Sequence, residues 1–232
     1  MRNNILILLL LTLFFAGCSV QTKNLTTKQF NDVKKAHEKK FYEQTRPEIS
    51  NELKIFIKKV VRSLVKKDLQ TINKELINPK VGFYNLTKVE GIPSFSHQDV
   101  IYNVIESHTE ELSQLMSYIS KNAVNYVIIE QNLKFNCSPN NDAFYGWNGE
   151  GLYLSDKSDG YLSKMLEEST ITKDNKYKED IKIANFIETQ SYKVILTPDI
   201  VFYVNNIDGK WYITLFDRIT TDCSSPDIKL DN

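Results

Sequence analysis

The sequence predicts an α+β fold in which N-terminal helices pack on a curved antiparallel sheet. Three observations carry that expectation. An amphipathic run of helical period occupies 53–65, apolar alternating segments fill most of 191–218, and the two patterns are segregated along the chain. Helices that come first and strands that come last make a meander with helices laid on one face.

The helix is the clearest element. Leu53, Phe56, Ile57, Val60, Val61, Leu64 and Val65 recur at the spacing of one helical face, with Lys54, Lys58, Lys59, Arg62 and Lys66 opposite. That basic face is either the solvated flank of a core helix, the commoner arrangement, or a surface for anionic lipid. Asp68 has the side chain to cap a shorter helix, "LQTINKELI", which Asn78-Pro79 ends. Ahead of these, 28–44 is charged with spaced Phe30, Val33, Ala36 and Phe41, a thinly apolar helix that Pro47 interrupts. Between Gly82, Gly91 and Pro93 the chain reads as a short strand or an ordered loop. Ser96 followed by Asp99 resembles a capping box, which predicts a helix from His97 to about His108, continued or restarted by "TEELSQLMSYIS".

Strand signals follow. "YVIIEQNLKF" alternates, with Val127, Ile129, Leu133 and Phe135 on the apolar side, and predicts a half-buried strand of about ten residues. "GLYLS" is a second, short one. In 156–180, 12 of 25 residues are Asp, Glu or Lys, so 156–190 reads as a charged insertion with one short helix near 160–168. "SYKVILT", "IVFYV" and "KWYITLFDRI" close the chain, the last two joined through Asn206-Ile207-Asp208-Gly209, a tight-turn signal. On the last strand simple alternation groups Trp211, Ile213, Leu215 and Asp217 against Tyr212, Thr214, Phe216 and Arg218.

The opening has a different logic. One Arg, an apolar run from Ile5 to Phe15 broken only by Thr12, and a small-residue exit make a secretory signal of 1–17, too short to cross a bilayer, which takes about 20 apolar residues. Phe15-Ala16-Gly17-Cys18 resembles the bacterial lipobox, with Phe where Leu is more usual. The resemblance implies a diacylglyceryl group on the Cys18 sulfur and an acylated, palmitate-bearing N-terminus, so that 18–27 is a tether and 28–232 a single tethered domain. More than one acyl chain gives durable anchoring. Ser19 after the Cys favours the outer membrane by resemblance to enteric sorting rules, and the localisation expected is the bacterial cell envelope.

The 29 basic and 29 acidic residues balance, and no broad basic field or groove-reading motif points to nucleic acid. An apolar fraction of 41% supports a real core. With Cys18 lipidated, Cys137 and Cys223 remain. In an oxidising compartment they can pair; otherwise they are two buried thiols.

The ending "VFYVNNIDGKWYITLFDRITTDCSS" is similar to the tails of small Bacteroidota lipoproteins. "DLQTINKELINPKVGFYN" and the helix before it resemble the opening of exported domains of the nuclear transport factor 2-like type. That resemblance implies a cone-shaped domain with an apolar cavity, a fold used by enzymes and binding modules alike.

Motifs for chemistry are sparse. His37, His97 and His108 stand in no metal-binding spacing, and no nucleophile elbow, phosphate loop or dinucleotide fingerprint is present, so no metal and no cofactor are expected. A calcium loop from Asp156 to Glu167 fails because Tyr161 stands where the sharp turn needs Gly. In "AFYGWNGEGLYL", Tyr145 and Trp147 among glycines suit a loop that binds sugars, lipids or peptides, or a hairpin whose aromatics cover the core. Asp217, aligned with apolar neighbours, is a general base in an enzyme reading or an ion-pair partner at a strand end. The expectation is a membrane-anchored lipoprotein, held by membrane lipid at its N-terminus, whose domain binds a protein or a small apolar ligand without catalysis. Its rival is a cone-fold enzyme or hydrophobic-ligand carrier with a cavity beneath Trp211 and Tyr203 and with Asp217 and Tyr203 as its polar groups.

Overall fold

A computed structural model describes residues 45–89, 91–101, 116–138, 144–170 and 178–224. The signal run, Cys18, the tether, the helix expected at 28–44, most of 97–108 and the middle of the charged stretch lie outside these residues.

Helix α1 (Asn51–Lys66) follows its period: Leu53, Ile57, Val60, Val61 and Leu64 are fully buried. Lys59, Arg62 and Lys66 stay exposed. Ser50 Oγ accepts from the Leu53 amide at 3.2 Å and caps its start. At its end Lys67 takes positive φ, 54°, so that its amide and that of Asp68 reach the Leu64 and Ser63 carbonyls. Asp68 then caps α2 (Leu69–Thr71), accepting from the Thr71 amide at 3.0 Å. A π-helical turn, Ile72–Leu76, completes the expected short helix. Asn78 closes the next turn, its carbonyl accepting from Gly82 at 2.8 Å. Gly82 has φ +66°, and a Cβ there would stand 2.4 Å from the Gln98 carbonyl oxygen. No other residue fits.

The main sheet has the order β2-β1-β9-β8-β7-β6-β3. Its members are β1 (Phe83–Val89), β2 (Ile92–Gln98), β3 (Ile128–Glu130), β6 (Leu152–Ser155), β7 (Tyr192–Leu196), β8 (Ile200–Ile207) and β9 (Lys210–Asp217). β4 (Phe135–Asn136) and β5 (Gly146–Trp147) form a separate two-stranded ribbon. The fold is α+β, and the closing meander β7-β8-β9 is antiparallel as expected. The sheet as a whole is mixed, since β1 runs parallel to β9 and β3 parallel to β6.

Four expectations change. His97 lies in β2, not at a helix start: its ring stacks on Tyr84 across the ladder at 4.5 Å, and its Nε2 donates to the Val81 carbonyl at 2.7 Å. Pairing with β1 overrides the local capping pattern. The ten-residue strand is reduced to β3 and β4: the Gln131 amide makes the last bond to β6, at the Leu154 carbonyl, while folding back on the Ile129 carbonyl, and the chain then leaves the sheet. Val127 and Ile129 consequently face solvent. Third, the charged stretch carries two helices, α3 (Tyr161–Thr170) and α4 (Lys178–Gln190), and both pack on the sheet. Helices therefore cover both faces. α1 sits over Phe202, Val204, Ile213 and Phe216, while α3 and α4 sit over Ile195, Val201, Tyr203 and Leu215. Each fully buried aliphatic side chain in these layers stabilises by about 1.5–3 kcal/mol.

Fourth, the alternation of β9 breaks. A bulge opens between Tyr203 and Val204, whose partners are Leu215 and Ile213, so Thr214 is the extra residue. Its hydroxyl bonds to Asn205 Oδ1, and Asn205 Nδ2 donates to the Ile187 carbonyl of α4 at 3.3 Å. Across the bulge the faces exchange. Trp211 and Ile213 belong to the α1 side, and Leu215 belongs to the α3–α4 side.

Candidate binding groove

On the α3–α4 side the strands set side chains in a row. Lys193 of β7 lies opposite Ser155 on one side and Tyr203 on the other, and Tyr203 lies opposite Leu215. The row ends beneath a groove of about 430 Å³. One wall is the chain that leaves the sheet after β3, from Asn132 to Ser138, and the other is the segment after β9, with Ile219, Thr220 and Asp222. Trp147, Asp159, Tyr161, Lys193 and Lys88, whose ammonium donates to the Asp222 carbonyl, complete the lining.

The floor is polar. Lys193 has a side chain only 3% exposed, and its ammonium pairs with Asp159 Oδ2. A lysine so placed buries its stem among apolar neighbours and keeps its head near a compensating charge. Tyr203 donates to the same Asp159 oxygen at 3.4 Å, as does Thr220 Oγ1 at 3.4 Å. Thr220 Oγ1 also lies 2.6 Å from Asp217 Oδ2, while Asp217 Oδ1 accepts from the Ile219 and Thr220 amides at 2.9 and 3.0 Å. Burial pushes the Asp217 carboxyl above its ordinary range, against the pull of Lys193. Burial, then the charges of Asp217 and Asp159, lifts the Tyr203 phenol well above its usual value; Tyr161 is pushed up to about 12 by burial and the same two carboxylates. Both phenols keep their protons, and that of Tyr203 is donated to Asp159.

Glu188 of α4 lies behind this layer. Its oxygens accept from the Leu162 and Ser163 amides at 2.7 and 3.0 Å, so one helix caps another, and burial raises its carboxyl too. The aromatic wall is fixed by Trp147 Nε1, which donates to the Pro198 carbonyl at 2.8 Å, and by Phe135, edge-on to the indole at 4.9 Å. Cys137 and Cys223 are disulfide-bonded with Cα atoms 5.4 Å apart, tying the two walls together.

Of the residues singled out in the sequence, Trp147 lines the groove, and Tyr203 and Asp217 lie beneath it. Tyr145 is 63% exposed and outside the lining. Trp211 is on the opposite face of the sheet, 6.0 Å from Tyr192 in a filled core, so no space beneath Trp211 and Tyr203 is shared. Sequence reasoning missed Lys193, Asp159 and Thr220. The available signal was a lone charge inside "YKVIL", since a lysine in an otherwise apolar central strand needs a buried partner. Among the described residues no cluster of His, Cys, Asp or Glu is arranged to hold a metal ion, and no helix is long and apolar enough to cross a membrane. No family model, curated protein or solved structure matches this chain.

Proposed function

We propose that this chain is a lipid-anchored protein of the bacterial cell envelope, at the outer membrane, whose folded domain is a non-catalytic binding module. The anchor reading is supported by the export run and the lipobox-like tetrapeptide ending at Cys18, with Ser19 after it. The nuclear transport factor 2-like arrangement belongs to the same proposal, supported by the helical pair that leads through Asn78 into the β1–β2 hairpin.

The observation that carries the binding reading is the groove itself, a concave site with aromatic side chains on one wall and, at its floor, an ion pair of a buried lysine with a half-buried carboxylate. Recognition sites of this kind combine apolar walls with a few fixed polar groups. No proton-transfer role is given to Asp217, which is fully buried with both oxygens already bonded. Its raised carboxyl is explained by burial, to which the charge of Asp159 adds.

Replacing Cys18 by Ser is expected to move the protein from the membrane to the soluble fraction; retention of the variant in membranes would refute the anchor. For the groove, a fragment library followed by amide shifts of the labelled protein should give hits that cluster at Leu133, Trp147, Lys193 and Thr220. Hits confined to other surfaces would refute the site.

A further inference from the structure

We infer that the ligand of this groove is a neutral, polyhydroxylated molecule, a carbohydrate, held by Lys193 and Asp159; this rests on the binding reading above. The inference comes from what these two side chains still have to offer. An ammonium has three donors, and Asp159 takes one of those of Lys193. Lys193 nevertheless lines the groove, with its Nζ 6.0 Å from the centroid of the Trp147 ring. On Asp159, the bonds from Lys193, Tyr203 and Thr220 all fall on Oδ2; among the described residues nothing donates to Oδ1, and the side chain is 33% exposed. Strong donors and a strong acceptor thus stand side by side at one point of the groove.

Their charges compensate, as do those of Lys88 and Asp222 in the same lining, which leaves Lys134 at the exposed wall as the one further charge; this near balance selects the ligand. An anion drawn to Lys193 would lie against Asp159, with Asp217 close behind; a cation drawn to Asp159 would meet Lys193. A hydroxyl group both accepts and donates. Two adjacent hydroxyls bridge ammonium and carboxylate, gain charge-assisted bonds at both ends and add no charge. Phe135, Trp147 and Tyr161 supply flat apolar surface for the C–H face of a sugar ring, and the groove volume falls in the range of about 300–1,000 Å³ usual for small-molecule sites.

The test titrates the labelled, detergent-solubilised chain with neutral malto-, cello-, xylo- and chito-oligosaccharides. Polygalacturonate, a sugar phosphate, a zwitterionic tripeptide and a fatty acid serve as contrasting probes. A neutral oligosaccharide is expected to shift the Trp147, Lys193 and Thr220 amides, with affinity falling at least tenfold in Asp159→Asn and in Lys193→Met. Should Lys193→Met not fold, the near-isosteric Asp159→Asn carries the comparison. Shifts at these amides from the peptide, the phosphate or the fatty acid, with none from any saccharide, overturn the carbohydrate and leave the groove standing. Silence from every probe overturns both.

Discussion

Lys193 and Glu188 are charged side chains that the fold has taken out of water, and each is kept there by a different device. Lys193 is compensated by one carboxylate, so loss of Asp159 would leave a buried charge that in other proteins costs about 3–5 kcal/mol. Glu188 is held by two amide donors at the start of α3. Burial raises its carboxyl, and the charge of Asp217 adds to that. The native state then binds a proton more tightly than the unfolded chain from the ordinary carboxylate range up to the raised value. Stability from this group therefore falls as pH rises through that window and grows on acidification into it. Denaturation midpoints measured from pH 7 downward should show Glu188→Gln with a smaller gain than the parent; equal pH slopes would refute the assignment. Part of this residue chemistry was legible beforehand. Asp217 draws notice in the sequence because it continues an apolar strand, but alternation leaves its burial open and places it with Trp211 and Ile213, from which the bulge separates it. Asp159 was not singled out, because nothing local distinguishes it from the exposed acids around it.

At the scale of elements, periodicity was a dependable guide where a single partner decides the face. α1 shows this, and so does the β8–β9 turn, where Asp208 and Gly209 both take positive φ. It failed where tertiary pairing outweighs local pattern, as at Ser96 and His97, which form ladder pairs with Asn85 and Tyr84. It failed again at Thr214, since a bulge moves every later side chain to the other face and leaves no mark in composition. The end of α1 offers a direct test. Lys67 holds a left-handed conformation that costs a non-glycine residue about 1 kcal/mol, and its side-chain bond to Ser117 Oγ at 2.7 Å is exposed. Lys67→Gly should stabilise by about 0.5–1 kcal/mol, read as a rise in Tm of a few degrees. An unchanged or lowered Tm would show that the Ser117 contact outweighs the backbone cost.

Across the whole molecule, the disulfide joins positions 86 residues apart, and the chain-entropy relation gives a link of that span about 4–5 kcal/mol. Cys137→Ala with Cys223→Ala should lower stability by up to that amount. It should also speed amide exchange in 132–138 and 219–223 more than in β8; uniform acceleration would mean that the link steadies the fold without shaping the groove. The pairing of the two cysteines is an expectation their number allows, but their position on facing walls is not legible, because no local signal records where distant segments meet. The sheet order has a further consequence. β9 is the last strand among the described residues and lies between β1 and β8, with Tyr84 paired to Leu215. Until 210–217 are available, the sheet is two separate pieces that share no ladder. Such long-range closure makes folding slow and dependent on the finished chain. The strand that joins the two pieces is also the one synthesis supplies after all the others described, so the domain cannot close before 210–217 has emerged.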